Sequence, residues 1–125
     1  MLEPSAFKFR RSLKQAIKKQ GFEIRTNTQF ETLIRLCAST RENNEGTWIT
    51  EEMIQAYMVL HREGCAISFE TYRQDELVGG LYGVKLGQIL FGESMVSLIP
   101  DASKAALASL CQESEHHQIR LIDCQ

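Results

Sequence analysis

The chain has 125 residues, 43% hydrophobic and 24% charged, with a formal net charge of -2. That length supports one domain without disulfide staples, and the composition excludes both a disordered chain and a fibrous repeat. No apolar run approaches the roughly 20 residues of a membrane span, and Met1-Leu2-Glu3-Pro4 has no apolar signal core, so a cytosolic protein is expected.

In chain order, Phe9, Leu13, Ala16 and Ile17 predict a helix over 9–20 that leaves Arg10, Arg11, Lys14 and Lys18 on its other faces, with Gly21 as its stop. Residues 1–25 carry seven Lys/Arg against two acids, a local +5, while the remaining hundred residues sum to -7. The basic helix is either a solvated face or an arm for an anionic partner. Phe22 to Arg25 reads as a short strand, and Thr28 can cap a helix whose apolar stripe is Phe30, Leu33, Ile34 and Cys37. The polar stretch Ser39 to Gly46 reads as a loop leading into Trp48.

Thr50, followed by Glu51 and Glu52, opens a helix that Gly64 ends. From Cys65 the period changes to two, and three strands separated by turns at Arg73-Gln74-Asp75 and Lys85-Leu86-Gly87 predict an antiparallel meander. Gly79, Gly80 and Gly83 are unfavourable inside its middle strand and signal a bulge or a ligand held close to the backbone. Pro100-Asp101 opens an alanine-rich helix, and Ile119 to Cys124 forms a last strand. The order predicts an α+β fold, a mixed and mainly antiparallel sheet flanked by helices, whose uncovered last strand suggests an incomplete domain.

The chain lacks the glycine-rich loops of nucleotide and dinucleotide sites, the H-E-x-x-H zinc motif and the G-x-S-x-G elbow. Its four cysteines, Cys37, Cys65, Cys111 and Cys124, show no C-x-x-C and no metal-ligand spacing with His61, His116 or His117, so they read as buried thiols and no metal is expected. Glu93 follows Phe91-Gly92 at the end of the third meander strand, and Asp123 and Gln125 share one face of the last. These are either exposed strand ends or a polar site. Trp48 and Tyr57 belong either to a core or to a ligand pocket.

Six blocks, in order, carry a resemblance: Gly46-Thr47-Trp48-Ile49-Thr50, Leu60-His61-Arg62-Glu63-Gly64, Glu76 to Gly83, Phe91-Gly92-Glu93-Ser94-Met95, Ala102-Ser103-Lys104 and Leu121-Ile122-Asp123-Cys124-Gln125. Together they resemble bacterial leucyl/phenylalanyl-tRNA-protein transferases. The resemblance implies a GNAT-like fold and transfer of Leu, Phe or Met from aminoacyl-tRNA to acceptor proteins with N-terminal Lys or Arg, marking them for N-degron degradation. It also implies that residues 1–125 are one incomplete transferase domain, the central part of the family's length, truncated at both ends. Val96 and Leu90 stand where the family often has an aromatic residue, a departure that could reshape a side-chain pocket.

By the same resemblance Gln125, Asp123 and Glu93 are catalytic, and Trp48, Tyr57, Leu81 and Leu90 line the donor pocket. Converting an ester to an amide is downhill and needs no cofactor, so positioning outweighs base strength. Gln125 would aim the attacking amine, Asp123 would orient Gln125, and Glu93 would either help the amine lose its proton or hold the cationic acceptor side chain. The basic residues Arg10, Arg11, Lys14 and Lys18 then become candidates for tRNA phosphates. Two other readings stay open: an inactive remnant that serves as a tRNA- or protein-binding module, and an acyl-CoA transferase, which lacks its glycine-rich pyrophosphate loop here.

Overall fold

The computed structural model describes residues 3–4, 11–45 and 49–124, the side chains of 11, 12, 41–45 and 124 excepted. In chain order its elements are α1 (Arg11–Gln20), β1 (Glu23–Thr26), α2 (Phe30–Glu45), α3 (Glu51–Arg62), β2 (Ala66–Arg73), β3 (Glu76–Leu86), β4 (Ile89–Ser97), α4 (Ala102–Gln112) and β5 (Leu121–Cys124). The sheet order is β1-β2-β3-β4-β5; all neighbours are antiparallel except β4 and β5, which are joined through α4 and run parallel. The expected α+β architecture and the β2-β3-β4 meander are therefore present. No helix among the described residues is long and apolar enough to cross a membrane.

Strand alternation sends side chains to two cores. On one face Leu33, Ile34, Ile54, Tyr82 and Val96 pack with α2 and α3; on the other Phe69, Leu81, Leu90, Leu110 and Ile122 pack with α4. The start of α3 follows its sequence signal, since the Thr50 hydroxyl accepts from Met53 N at 3.2 Å. Its end does too: Gly64 adopts φ +79°, and Cys65 N donates to Leu60 O at 2.8 Å. Arg35 forks onto Glu51 at 2.8 and 2.9 Å, tying α2 to α3, and this pairing holds the Glu51 carboxyl down to about 2.

Two local expectations are corrected. Ser39 to Glu45 are helical rather than a loop, because α2 is already nucleated by its buried stripe and each added residue needs only one more backbone bond. Ser39 and Thr40 send their hydroxyls back to Leu36 O, at 3.0 and 2.9 Å, instead of competing with the helix. Thr28, for its part, does not cap α2 through its oxygen. Its hydroxyl donates to Glu70, a fully buried carboxylate on β2 that also accepts from Thr28 N at 2.8 Å, Gln29 N at 3.2 Å and the Ser68 hydroxyl.

Glu70 thus supplies the negative charge at the start of α2 from 40 residues along the chain, where a local cap would ordinarily stand. Substituting Glu70→Ala leaves these donors dry and should lower the unfolding free energy by about 3 kcal/mol in urea denaturation. A loss below about 1 kcal/mol would show that the carboxylate does not hold α2 to the sheet.

Candidate active site

The site begins with a phase change in β4. Tyr82 faces Ser94 across the β3–β4 ladder while the next residue, Gly83, faces Gly92, so Glu93 is surplus: a β-bulge. Its consequence is visible in the cores. Leu90 and Val96 are six residues apart and would share a face in a regular strand, yet Leu90 packs toward α4 and Val96 toward α2 and α3. Glu93 therefore lies in the interior of a strand that runs to Ser97, not at its end as the sequence suggests.

Glycines make this possible. A Cβ on Gly83 would sit 2.5 Å from Phe91 O, and one on Gly79 would sit 2.5 Å from Val96 O and 2.7 Å from the Ala102 Cβ at the start of α4. A second irregularity lies between Thr71 and Tyr72 of β2, where β3 carries the extra residue. The bulge reading of the β3 glycines holds. The close approach they permit is by neighbouring strands and α4.

The start of α4 is fixed against this part of the sheet. Thr71 Oγ1 donates to Ala102 O at 2.7 Å, and Ser97 Oγ accepts from Ser103 N at 2.8 Å. Asp101, at φ +70°, makes no side-chain cap, so β4 provides it instead. Once pinned, α4 turns Leu107 and Leu110 over the bulge. Between them and the sheet is a cavity of about 220 Å³ lined by Leu81, Leu90, Glu93, Met95 and Ile122 as well.

Three of the residues singled out from sequence, Leu81, Leu90 and Glu93, thus line one cavity. Among the described residues the Glu93 carboxylate has no ion pair or hydrogen bond, and among them it is the only acid lining a cavity that is otherwise mostly apolar. Tyr57 lies elsewhere: it packs with the α2–α3 core, edge-on to Tyr82 with ring centroids 5.6 Å apart, and Tyr82 in turn lines the cavity. Asp123 pairs with Phe91 on β5 and alternates with the buried Ile122, so it faces away from α4, toward the side where Tyr57 packs. Trp48, Arg10 and Gln125 lie outside the described residues, as does the side chain of Arg11.

Lys14 and Lys18 are exposed on α1, whose Leu13, Ala16 and Ile17 are only half-buried. The helix is tied to the sheet where Arg73 Nη1 donates to Gln20 Oε1 at 2.8 Å. Sequence reasoning passed over Met95, Leu107, Leu110 and Ile122 as site residues. Leu107 and Leu110 carry a usable signal, a three-residue spacing on one face of the alanine-rich helix. Ser94 is buried beside the bulge, and its hydroxyl has no hydrogen-bond partner among the described residues.

The comparisons with known proteins agree along the whole chain. A family model described as leucyl/phenylalanyl-tRNA protein transferase matches residues 1–125. A leucyl/phenylalanyl-tRNA–protein transferase of Nitrosomonas eutropha is 49% identical over 125 residues, covering 100% of this chain and 53% of that protein. One of Hydrogenovibrio crunogenus is 48% identical over 122 residues, covering 97% of this chain and 48% of that protein. The chain therefore spans about half the length of the curated relatives it matches.

Solved structures show the fold. An aminoglycoside acetyltransferase from an uncultured soil metagenomic sample superposes with TM-score 0.66 at 17% identity, covering 87% of this chain and 79% of that one. A ribosomal-protein-alanine N-acetyltransferase of Brucella melitensis gives TM-score 0.61 at 10% identity, covering 83% of this chain and 79% of that one. The architecture is thus GNAT-like.

Because Gly83 has no room for a side chain against the Phe91 carbonyl, Gly83→Ala should cost about 2 kcal/mol of stability and shift the amide signals of Gly92, Glu93 and Ser94. Unchanged stability with unmoved signals would mean that the bulge does not depend on this glycine.

Proposed function

Because the chain belongs to the leucyl/phenylalanyl-tRNA protein transferase family, we propose that it transfers Leu, Phe or Met from aminoacyl-tRNA to the N-terminal Lys or Arg of acceptor proteins in the cytoplasm, as one GNAT-like transferase domain. The product is then marked for N-degron degradation. The observation that carries this reading is the apolar cavity closed by α4, with one carboxylate, Glu93, at its bulged wall.

The donor's leucyl, methionyl or phenylalanyl side chain enters between Leu81, Leu90 and α4. An apolar pocket separates such side chains by only about 1–3 kcal/mol per methylene, which suits a donor set of three. Leu90 leaves more space than an aromatic residue would. Tyr57 takes the terminal adenosine from the other side of Tyr82, and Trp48 shares that role by the family resemblance.

In the reaction the acceptor's α-amine attacks the ester carbonyl carbon, the C–N bond forms, and the C–O bond to the terminal ribose breaks as the proton passes from nitrogen to that oxygen. An α-amine has a pKa of about 7.7–8.0, so reaching its neutral form at pH 7 costs only about 1 kcal/mol. Alignment of the two reactants can contribute about 7–11 kcal/mol. Gln125 accepts a hydrogen bond from the amine and aims its lone pair, and Asp123 orients the Gln125 amide. Glu93 pairs with the cationic acceptor or takes up its proton. A coenzyme A substrate is disfavoured: Leu98-Ile99-Pro100-Asp101, between β4 and α4, has no glycine, and Pro100 has no N–H to offer a pyrophosphate.

Phe-tRNA labelled on the amino acid, mixed with a protein beginning with Arg, should give labelled protein, and Gln125→Ala should slow transfer by about 10²-fold or more. Binding of both substrates by a folded chain without transfer would assign it the role of a tRNA- and protein-binding module. For the basic helix, the double variant Lys14→Glu/Lys18→Glu should weaken tRNA binding at low salt, with the deficit shrinking as salt rises. Equal affinity at low salt would remove α1 from the RNA interface.

A further inference from the structure

The block Leu60-His61-Arg62-Glu63-Gly64 has no part in the transfer chemistry derived above, yet its histidine is firmly placed. The His61 ring stacks on Phe30, centroids 4.3 Å apart and planes 11° from parallel, and its Nε2 lies 3.2 Å from Asn27 Oδ1. That oxygen also accepts from Ser68 N at 3.0 Å. Across a cleft of about 470 Å³ the turn after α4 presents His116 and His117, with ring centroids 5.1 Å apart, and β3 contributes Lys85. All three histidines of the chain therefore line one cleft, together with Lys85, Asn27 and Gln118.

Among the described residues, no Asp or Glu lines this cleft. Glu113, the C-cap residue of α4 at the start of this turn, stands 3.8 Å from His117 Nε2, an ion-pair distance without a hydrogen bond. Glu63 and Glu115 adjoin the cluster in sequence but do not line the cleft, and β2 contributes only Ala66 and Ile67. Burial first, and then the charge of His116, hold His117 below the ordinary histidine range; Lys85 acts in the same direction and Glu113 opposes them. Groups that repel one another in this way gain from a shared anion. A metal is the wrong ligand, because no three His, Cys, Asp or Glu among the described residues are placed to hold one.

Position narrows the anion. Ile67, which lines the cleft, is in register with Gly83, and Gly83 with Gly92 at the bulge. The two sites are thus two strand spacings apart across the sheet, roughly 10 Å. A nucleic-acid strand whose 3′ end lies at the bulge passes within reach of the cleft. We propose that the cleft formed by His61, Lys85, His116 and His117 binds a backbone phosphodiester of the RNA donor, near the end that carries the amino acid. This rests on the proposed aminoacyl-tRNA substrate and adds a phosphate site apart from the basic helix α1.

The test follows the histidine ring NMR signals and the affinity of the full chain for uncharged tRNA, with inorganic phosphate as the second probe. Uncharged tRNA should move the His61 and His116 ring signals, and binding should weaken as salt rises. Lys85→Gln should make the salt dependence of log K shallower by about 1, and Lys85→Gln/His116→Gln should weaken binding about tenfold at low salt, with melting curves confirming that both variants fold. Unchanged affinity and slope in variants that still transfer would overturn the site alone. Ring signals that respond to inorganic phosphate but not to tRNA would overturn it in favour of a free anion. Ring signals that respond to tRNA in a chain incapable of transfer would support the site while removing the transferase reading.

Discussion

One surplus residue in β4 sets the geometry on which the rest of the structure depends. With Glu93 looped out between the Tyr82–Ser94 and Gly83–Gly92 pairs, the strand changes faces midway and serves both cores, Leu90 beneath α4 and Val96 beneath α2 and α3. The same irregularity places a carboxylate without a described partner in a wall of otherwise mostly apolar side chains. It is possible because Gly83 leaves the space that a side chain would take from the Phe91 carbonyl. Fold and site are thus one feature: undoing the bulge would exchange the faces of every residue after it.

Much of this was legible wherever the signal was local. Thr50 with Glu51 and Glu52 announced α3, Gly64 its end, and the alternation after Cys65 the meander. The glycines of β3 announced irregular pairing, and the structure shows it on both sides of that strand. What escaped depends on distant partners. Nothing near Thr28 indicates that Glu70 will take over the capping of α2, and nothing near Ser39 shows how far a well-buried helix start can carry a polar tail. Glu93 was misplaced for a physical reason: a bulge erases the period of two at the very residue that makes it, so the strand seems to stop there. Leu107 and Leu110 sit in a helix announced by its alanines, and their spacing also makes them a lid over the cavity.

Charge is organised in the same non-local way. A net charge of -2 averages a basic N-terminal helix over a body rich in acids, and neither end of that contrast is spent on a packed core. Lys14 and Lys18 are exposed, while Arg35, Glu51 and Glu31 form a surface network that joins two helices. Glu70, the one fully buried acid among the described residues, is surrounded by donors. Against that economy, the gathering of His61, Lys85, His116 and His117 in one cleft stands out, as does the lone carboxylate at the bulge. Both are places where the chain's own groups leave a charge for something else to meet.

The central claim is that the cavity beside the bulge receives the aminoacyl side chain of the donor. An amide-linked analogue of phenylalanyl-adenosine, titrated into methyl-labelled protein, tests it without requiring turnover. The account predicts shifts and ligand contacts at the methyls of Leu81, Leu90, Met95 and Leu110. Binding that leaves the cavity methyls silent would contradict it.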